Sequence, residues 1–562
     1  MDRARRALTA RDRVASLGGR VGRTILVVAP VVFLGAFFVY PLAAILGRGL
    51  LPRGHADFAA LGDVLSDRGL REVAWFTLWQ AALSTVLTLL VGLPAAFVLA
   101  RFTFPGRSLL RSLLLVPFVL PTVVVAAAFA ALLGPGGPLA RLGLVPGVAA
   151  ILIAHVFFNV AVVARVVGGL WANLDPSREE AARVLGASRP RAFVSVTLPL
   201  LAPAIIAASS IVFLFTFSSF GVVLLLGGPT RATLETEIYS LTTEFLDLRH
   251  AAALALVQIV AVVAVLLVLT RVQERVATGQ RLVAARDTAR PARGFGARAF
   301  LGGTLAVLAV LLGGPLAMLV ARSFGNAFAR GSGGPTLSAY RSLSTPGSAL
   351  FVAPSVAIRN SLEFALVATT IALFVGGAAA FVLARRPSRG RRALDTLLML
   401  PLGTSAVTIG FGFLIALDRP PLDLRSSVWL VPLAHAVVAI PFVVRAVVPA
   451  LRSIDPRLRE AAALLGASPA RVRREVDLPI VGRAFLVAAG FAAAVSLGDF
   501  GATAFIARPD TPTVPIAIFR LLSLPGRLNF DRAMALSTVL MVLTGLVVVG
   551  LERVRVASLT EF

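Results

Sequence analysis

Apolar runs of about twenty residues, the length an α-helix needs to cross a bilayer, recur along nearly the whole of this 562-residue chain. Six lie near residues 24–47, 73–100, 110–133, 147–173, 199–227 and 250–271; six more lie near 299–321, 357–384, 394–416, 428–452, 480–507 and 531–552. The pattern predicts an all-α integral membrane protein with about 12 transmembrane helices. Polar interruptions divide it into an Arg-rich N-tail at 1–23, a six-span domain at 24–271, a linker at 272–298, a second six-span domain at 299–552 and a C-tail at 553–562. The first run exceeds the roughly 7–15 residues of a signal-peptide core and so reads as an uncleaved span.

Two of the polar interruptions are copies of each other. EEAARVLGASRPRAFVSVTLPL at 179–200 recurs as REAAALLGASPARVRREVDLPI at 459–480, matching Glu180 to Glu460, Gly186 to Gly466 and Pro199 to Pro479 at an offset of 280. AFVLAR at 96–101 returns at 380–385, Pro117 matches Pro401 at an offset of 284, and Ala154-His155 matches Ala434-His435. The chain is a tandem duplication. Six spans is an even number, so the two repeats share one orientation and are parallel, related by an axis along the membrane normal.

Composition narrows the class. With 57% hydrophobic and 15% charged residues and a mean hydropathy of +0.88, there is too little polar surface to clothe a water-soluble protein of this size. All 54 basic residues are arginine, and Cys is absent. Disulfides, thiolate metal sites and Cys nucleophiles are excluded. So is a phosphate-binding loop with its lysine, and any ATP that drives the protein must bind another chain.

The net charge of +26 gathers in the N-tail (Arg3, Arg5, Arg6, Arg11, Arg13, Arg20, Arg23), in the loop Arg385, Arg386, Arg389, Arg391, Arg392, and in the linker from Arg271 to Arg298. This spacing follows the positive-inside rule of membrane topology and calls for no nucleic-acid partner. It places both termini in the cytoplasm. Both polar copies follow the fourth span of their repeat, on the same cytoplasmic side.

Within each copy, Asp175-Pro176 and Asp455-Pro456 supply a helix cap followed by a proline at the first helical position. Gly186 and Gly466 end that helix by adopting positive φ, and Ser188 and Ser468 cap a second short helix leading to Leu198-Pro199 and Leu478-Pro479. Ala181, Ala182, Ala461 and Ala462 leave little side chain between the helix and an approaching partner, and Glu180 and Glu460 add charge near its start. A solvated loop rich in helix formers would share the Ala and Glu content. Two copies in register, each with cap, glycine and terminal proline, favour a docking surface.

These residues resemble the EAA loop of permease subunits in ABC importers: Glu-Ala-Ala, a glycine a few residues on, and an apolar-x-Leu-Pro ending. The resemblance covers essentially the whole chain as a fused double permease of the type I, MetI-like transmembrane fold, with EAA loops at 175–199 and 455–479. It implies that Glu180, Ala181, Ala182, Gly186, Glu460, Ala461, Ala462 and Gly466 couple the spans to two copies of a cytoplasmic ABC ATPase. It also implies an extracytoplasmic solute-binding protein, an inner-membrane location and alternating access. No cofactor is expected on this chain; ATP and Mg belong to the ATPase. Fused permeases of this kind serve thiamine and ferric iron importers, and FSSFGVVLLLGGPTRATLETEIYSL at 217–241 with HAAALALVQ at 250–258 is most similar to the thiamine permeases.

Charges inside a span are costly and usually face a cavity or a partner. Asp499 in SLGDFGAT has Ser219 in FSSFGVV as its repeat mate, Phe220 matches Phe500 and Gly221 matches Gly501. These six are the candidate pathway residues in the fifth spans, with Phe220 and Phe500 in a gate and Asp499 lining the route. The alternative is that the glycines permit tight packing and Asp499 bonds a neighbouring helix. Matched His155 and His435 read as helix-packing donors rather than metal ligands, Arg165 and Arg445 as residues that snorkel or tether the coupling loop, Glu363 as reaching water, and Glu235 and Glu237 as part of an outer loop. An ion-coupled secondary transporter also has two parallel halves, but it would carry more ionisable residues at mid-membrane. A membrane enzyme would need a cluster of His, Asp or Glu that the chain does not offer.

Overall fold

The computed structural model describes residues 26–50, 55, 57–228, 230–276, 289–325, 334–347, 349–385, 388–418 and 422–557. The N-tail 1–23, linker residues 277–288, Arg386 and C-tail residues 558–562 lie outside it. The first repeat comprises α1 (Leu26–Leu50), α2 (Arg68–Arg101), three short helices α3 (Arg107–Leu113), α4 (Leu115–Val119) and α5 (Thr122–Leu133), then α6 (Val148–Asn173), α7 (Ser177–Val184), α8 (Arg189–Phe217), α9 (Gly221–Leu226), α10 (Leu234–Thr243) and α11 (Leu248–Arg275). The second comprises α12 (Phe295–Ser323), α13 (Pro354–Leu383), α14 (Arg389–Gly403), α15 (Ala406–Ala416), α16 (Leu430–Arg452), α17 (Pro456–Leu464), α18 (Pro469–Gly498), α19 (Thr503–Ile506), α20 (Val514–Ser523) and α21 (Arg527–Leu551).

Ten of these helices are long and apolar enough to cross a membrane, and α14 with α15 makes an eleventh span if a bend of 101° between them is counted within it. The run at 110–133, expected as one span, is three short helices. Its break falls at Leu120 and Pro121, both extended, because a residue preceding proline is pushed out of the α region. At the equivalent place in the second repeat Ser405 stands where Pro121 does, and its side chain caps α15 by accepting from Val407 N at 3.0 Å. Proline and a serine cap thus produce the same interruption by different means.

By contact the chain falls into two compact units. One joins described residues up to Ile45 with 356–513 and 543–557; the other joins 46–355 with 514–542. Neither unit coincides with a repeat: the start of α1 joins the unit built on 356–513, while α12, α20 and the first part of α21 join the unit built on the first repeat. In one unit the start of α1 meets α15, with the Phe37 and Phe413 rings 6.3 Å apart. In the other, Leu308 and Leu312 of α12 join the buried cluster around Phe129 and Phe157, whose rings meet edge to face at 5.6 Å. Arg322 Nη1 at the end of α12 donates to Gly136 O at 2.9 Å.

In each unit the second span packs tightly on the fourth at a glycine. A Cβ on Gly92 would lie 2.6 Å from Val163 Cβ, and one on Gly376 would lie 3.0 Å from Val443 Cβ. These pairs are repeat mates, so close approach of the two helices is built into both copies. Hydroxyls buried along α2 bond their own helix, as Thr85 Oγ1 does to Ala81 O at 2.8 Å and Thr88 Oγ1 to Ser84 O at 2.7 Å, which removes the cost of an unpaired polar group in an apolar surrounding.

Candidate functional site: coupling segments and helix breaks

The duplicated polar segments fold alike. Asp175 Oδ1 accepts from Ser177 N at 2.9 Å to start α7, and Asp455 Oδ1 accepts from Arg457 N at 2.9 Å to start α17. Gly186 (φ +95°) and Gly466 (φ +82°) end these helices in the left-handed region. Gly186 N donates to Arg183 O and Ala187 N to Ala182 O, both at 3.0 Å; Gly466 N and Ala467 N donate to Ala463 O and Ala462 O, again at 3.0 Å. Nothing lies within 4 Å of a Cβ built on either glycine, so backbone conformation, not crowding within the chain, calls for glycine there.

Exposure repeats as faithfully. Glu180, Ala181, Glu460 and Ala461 are exposed, while Ala182 and Ala462 are half-buried. Sequence reading missed the aliphatic pair just before each glycine: Val184 and Leu185 are 86% and 88% exposed, and Leu464 and Leu465 are both 89% exposed. Exposed apolar side chains at four matched positions mark an interaction surface. The signal was present in sequence as two adjacent aliphatics closing a helix rich in charges and alanine.

The expected second short helix is instead the first turns of the fifth span. α8 and α18 run on through Pro199 and Pro479 by way of a π-helical turn at Phe193–Thr197 and at Arg473–Asp477. The widened turn shifts the hydrogen-bond register just ahead of a proline that has no N–H to give. Ser468 Oγ accepts from Arg471 N at 3.3 Å as a cap; Ser188 makes no such bond.

One pair of repeat-equivalent positions ties each loop to the base of that span. In the first copy Thr197 Oγ1 donates to Glu179 Oε2 at 2.7 Å. In the second, Arg459 Nε donates to Asp477 Oδ1 at 2.7 Å, with Asp477 buried. Arg101 Nη2 and Arg452 Nη2 add bonds to Leu174 O and Leu383 O at 3.2 and 3.0 Å. Arg445, expected with Arg165 to snorkel or tether, reaches Met399 Sδ at 3.2 Å; both arginines are exposed. Glu180 lies 3.6 Å from Arg290 of the linker, in an exposed pair.

The fifth runs, expected to be continuous over 199–227 and 480–507, are broken where the candidate pathway residues lie. α8 stops at Phe217 and α9 begins at Gly221; α18 stops at Gly498 and α19 begins at Thr503. The matched histidines of the fourth spans fasten these breaks. His155 lies 2.9 Å from Ser84 Oγ and 2.8 Å from Ser219 Oγ. His435 lies 2.7 Å from Ser496 Oγ, 2.8 Å from Thr503 Oγ1 and 3.3 Å from Asp499 Oδ2. Asp499 Oδ2 in turn accepts from Thr503 N at 3.0 Å and Thr503 Oγ1 at 2.6 Å, capping α19. Because the Thr503 hydroxyl donates to the carboxylate, its oxygen is left to accept from His435 Nε2–H.

Asp499, Phe220 and Phe500 are all buried, at 9%, 6% and 2% exposure. The Phe220 ring stands edge-on to Tyr239 at 5.4 Å. A Cβ on Gly501 would lie 2.8 Å from Ala406 Cβ, so within one unit the break of the fifth span abuts the start of α15, the break of the third. Gly221 is buried. Glu235, expected in a solvated outer loop, is fully buried in α10 and accepts from Gln258 Nε2 at 2.5 Å. Glu237 is half-buried, and burial first, then Glu244 and Asp67, push its carboxyl above the usual carboxylate range. The expected loop is a helix because Thr233 and Thr236 form a reciprocal capping box, anchored to the first break through Thr233 Oγ1 and Ser219 O. Glu363 is exposed beside Arg359 at 3.5 Å.

A duplicated multi-pass membrane protein with one exposed polar segment per repeat is the architecture of a transport permease. Residues 89–281 and 372–554 match the family "Binding-protein-dependent transport system inner membrane component", and the chain belongs to that family. It is 28% identical over 507 residues to "Probable ABC transporter permease protein y4fN" of Sinorhizobium fredii (strain NBRC 101917 / NGR234), covering 86% of this chain and 87% of that one. It is 30% identical over 506 residues to "Thiamine transport system permease protein ThiP" of Brucella abortus (strain 2308), covering 85% and 88%. Against the protein of the same name from Escherichia coli (strain K12) the identity is 28% over 470 residues, covering 81% and 84%. The protein is an ABC importer permease of the inner membrane and not an enzyme.

Proposed function

We propose that this chain forms the translocation pathway of an ATP-driven importer for thiamine or its phosphates and is moved by separate ATPase subunits docked on α7 and α17. The observation that carries the coupling role is the repeat-exact presentation of Glu180, Ala181, Val184, Leu185 and Gly186 and of Glu460, Ala461, Leu464, Leu465 and Gly466, exposed and held by matched caps. Two such segments on one chain fit two ATPase copies, with a single extracytoplasmic binding protein delivering cargo. Both termini then lie in the cytoplasm. Relatives named as thiamine permeases match along most of their length and support the cargo.

The breaks at Ser219, Phe220 and Gly221 and at Asp499, Phe500 and Gly501 are the places where each fifth span can hinge. A helix interrupted inside a membrane persists only where its freed backbone groups find partners; at these breaks Ser219 O accepts from Thr233 Oγ1 and Thr503 N donates to Asp499 Oδ2. Proteoliposomes holding this chain, its ATPase and its binding protein should accumulate labelled thiamine only with ATP, and Glu180→Ala with Glu460→Ala should lower ATPase capture and uptake together. Uptake of ferric iron instead of thiamine would reassign the cargo, and uptake on an ion gradient by this chain alone would overturn the coupling role.

A further inference from the structure

A cavity of about 550 Å³ opens beside the loop that joins α13 to α14, within the unit that holds them both. Its walls are aliphatic and aromatic: Leu26, Val27 and Val31 from the start of α1, Phe381 and Val382 from the end of α13, and Leu394 and Leu397 from α14. Its mouth is different. Arg385, Ser388 and Arg391 border it, none of the described residues that line it is acidic, and the first turn of α14 carries no acid. Ser388 caps α14, a helix of 15 residues, so the positive end of that helix faces the same place as the two guanidinium groups.

The level of this mouth follows from a contact between helix ends. Arg452 Nη2 at the end of α16 donates to Leu383 O at the end of α13 at 3.0 Å, so the loop after α13 emerges on the side where the polar segment after α16 emerges. Arginines at a membrane surface beside an apolar slot match one kind of molecule, with a negative head and a hydrocarbon tail. We propose that this cavity is a binding site for an anionic phospholipid of the leaflet on the coupling-segment side, the acyl chain on Val31, Phe381, Val382 and Leu394 and the phosphate at Arg385, Arg391 and the α14 N-terminus. A free phosphate would satisfy the mouth and leave the walls bare. A zwitterionic lipid would cover the walls and present no net charge to the arginines.

Native mass spectrometry of the full chain released from bilayers of mixed phosphatidylglycerol and phosphatidylcholine tests this. The native chain should retain phosphatidylglycerol selectively after extended detergent washing. Arg385→Gln with Arg391→Gln should weaken that retention about 30-fold, which is about 2 kcal/mol for two arginine contacts. Val382→Trp keeps both charges and fills the slot; it should also expel the lipid, and a preserved thermal midpoint in either variant shows that the fold is intact. Because the chain has no cysteine, a photo-crosslinker on Leu394→Cys reports the occupant directly, and lipid adducts are expected. Equal retention of phosphatidylcholine, retention unchanged in both variants, phosphate ions in place of lipid, or crosslinks to the N-tail would each overturn the proposal.

Discussion

The glycine that ends α7 and its counterpart at the end of α17 offer a sharp test of why those segments have their shape. Gly186 and Gly466 hold φ of +95° and +82°, where a residue with a Cβ loses about 1–2 kcal/mol to the clash with its following carbonyl. The space around each is open within 4 Å, so Gly→Ala should cost this conformational energy and nothing from packing in the isolated chain. The segment can recover it by unwinding its last turn, which moves Val184, Leu185, Leu464 and Leu465. On the proposed docking, the ATPase must then restore the turn, so affinity should fall by about 5- to 30-fold for each altered loop. Asparagine tolerates the left-handed region better than alanine, so Gly186→Asn and Gly466→Asn should bind more tightly than the alanine variants despite the larger side chain. The assay is titration of purified ATPase onto the permease in nanodiscs. If asparagine is as harmful as alanine or worse, the glycines serve close approach of the partner and the conformational reasoning is wrong.

Three further outcomes follow from the packing. Substituting His435→Ala leaves Ser496, Thr503 and Asp499 without a shared partner in a buried setting and should cost about 1–3 kcal/mol, read as a lowered thermal midpoint in detergent; an unchanged midpoint would show that water replaces the ring. Gly92→Ala inserts a methyl 2.6 Å from Val163 Cβ and should destabilise by about 1–3 kcal/mol, with Val163→Ala recovering part of the loss in a double-mutant cycle. Arg459→Ala strands the buried Asp477 carboxylate and should reduce stability, while Arg459→Glu with Asp477→Thr, which installs the first repeat's Glu179–Thr197 pair, should restore it; an equal loss in both would deny that the two pairs are equivalent.

The duplication, the helical class and the shape of the paired polar segments were legible because each rests on local chemistry: apolar run length, Asp-Pro caps and a glycine at a helix end. The breaks were not. In the fifth runs, Phe217 to Leu226 and Gly498 to Ile506 contain no proline, and the interruption is held by His155 and His435 from another span, a partnership that no local pattern reveals. At Pro121 the cue was visible, but in the second repeat Ser405 replaces it, so comparing the copies hid the common geometry. Glu235 misled for a related reason: a carboxylate between turn residues reads as solvated, and Gln258, 23 positions on, is what makes its burial affordable. The aliphatics Val184, Leu185, Leu464 and Leu465 are readable as adjacent apolar residues just ahead of each glycine, and their exposure is what the structure adds.

The traded first spans set an order on how the protein comes into being. The unit that takes in the start of α1 also takes in most of α13, α14 to α19 and the end of α21, so the start of α1 meets its neighbours in that unit only after hundreds of further residues have been made. Splitting the gene at the linker would therefore yield two polypeptides that are each missing a wall, and co-expression, not either fragment by itself, would be needed to obtain a stable product.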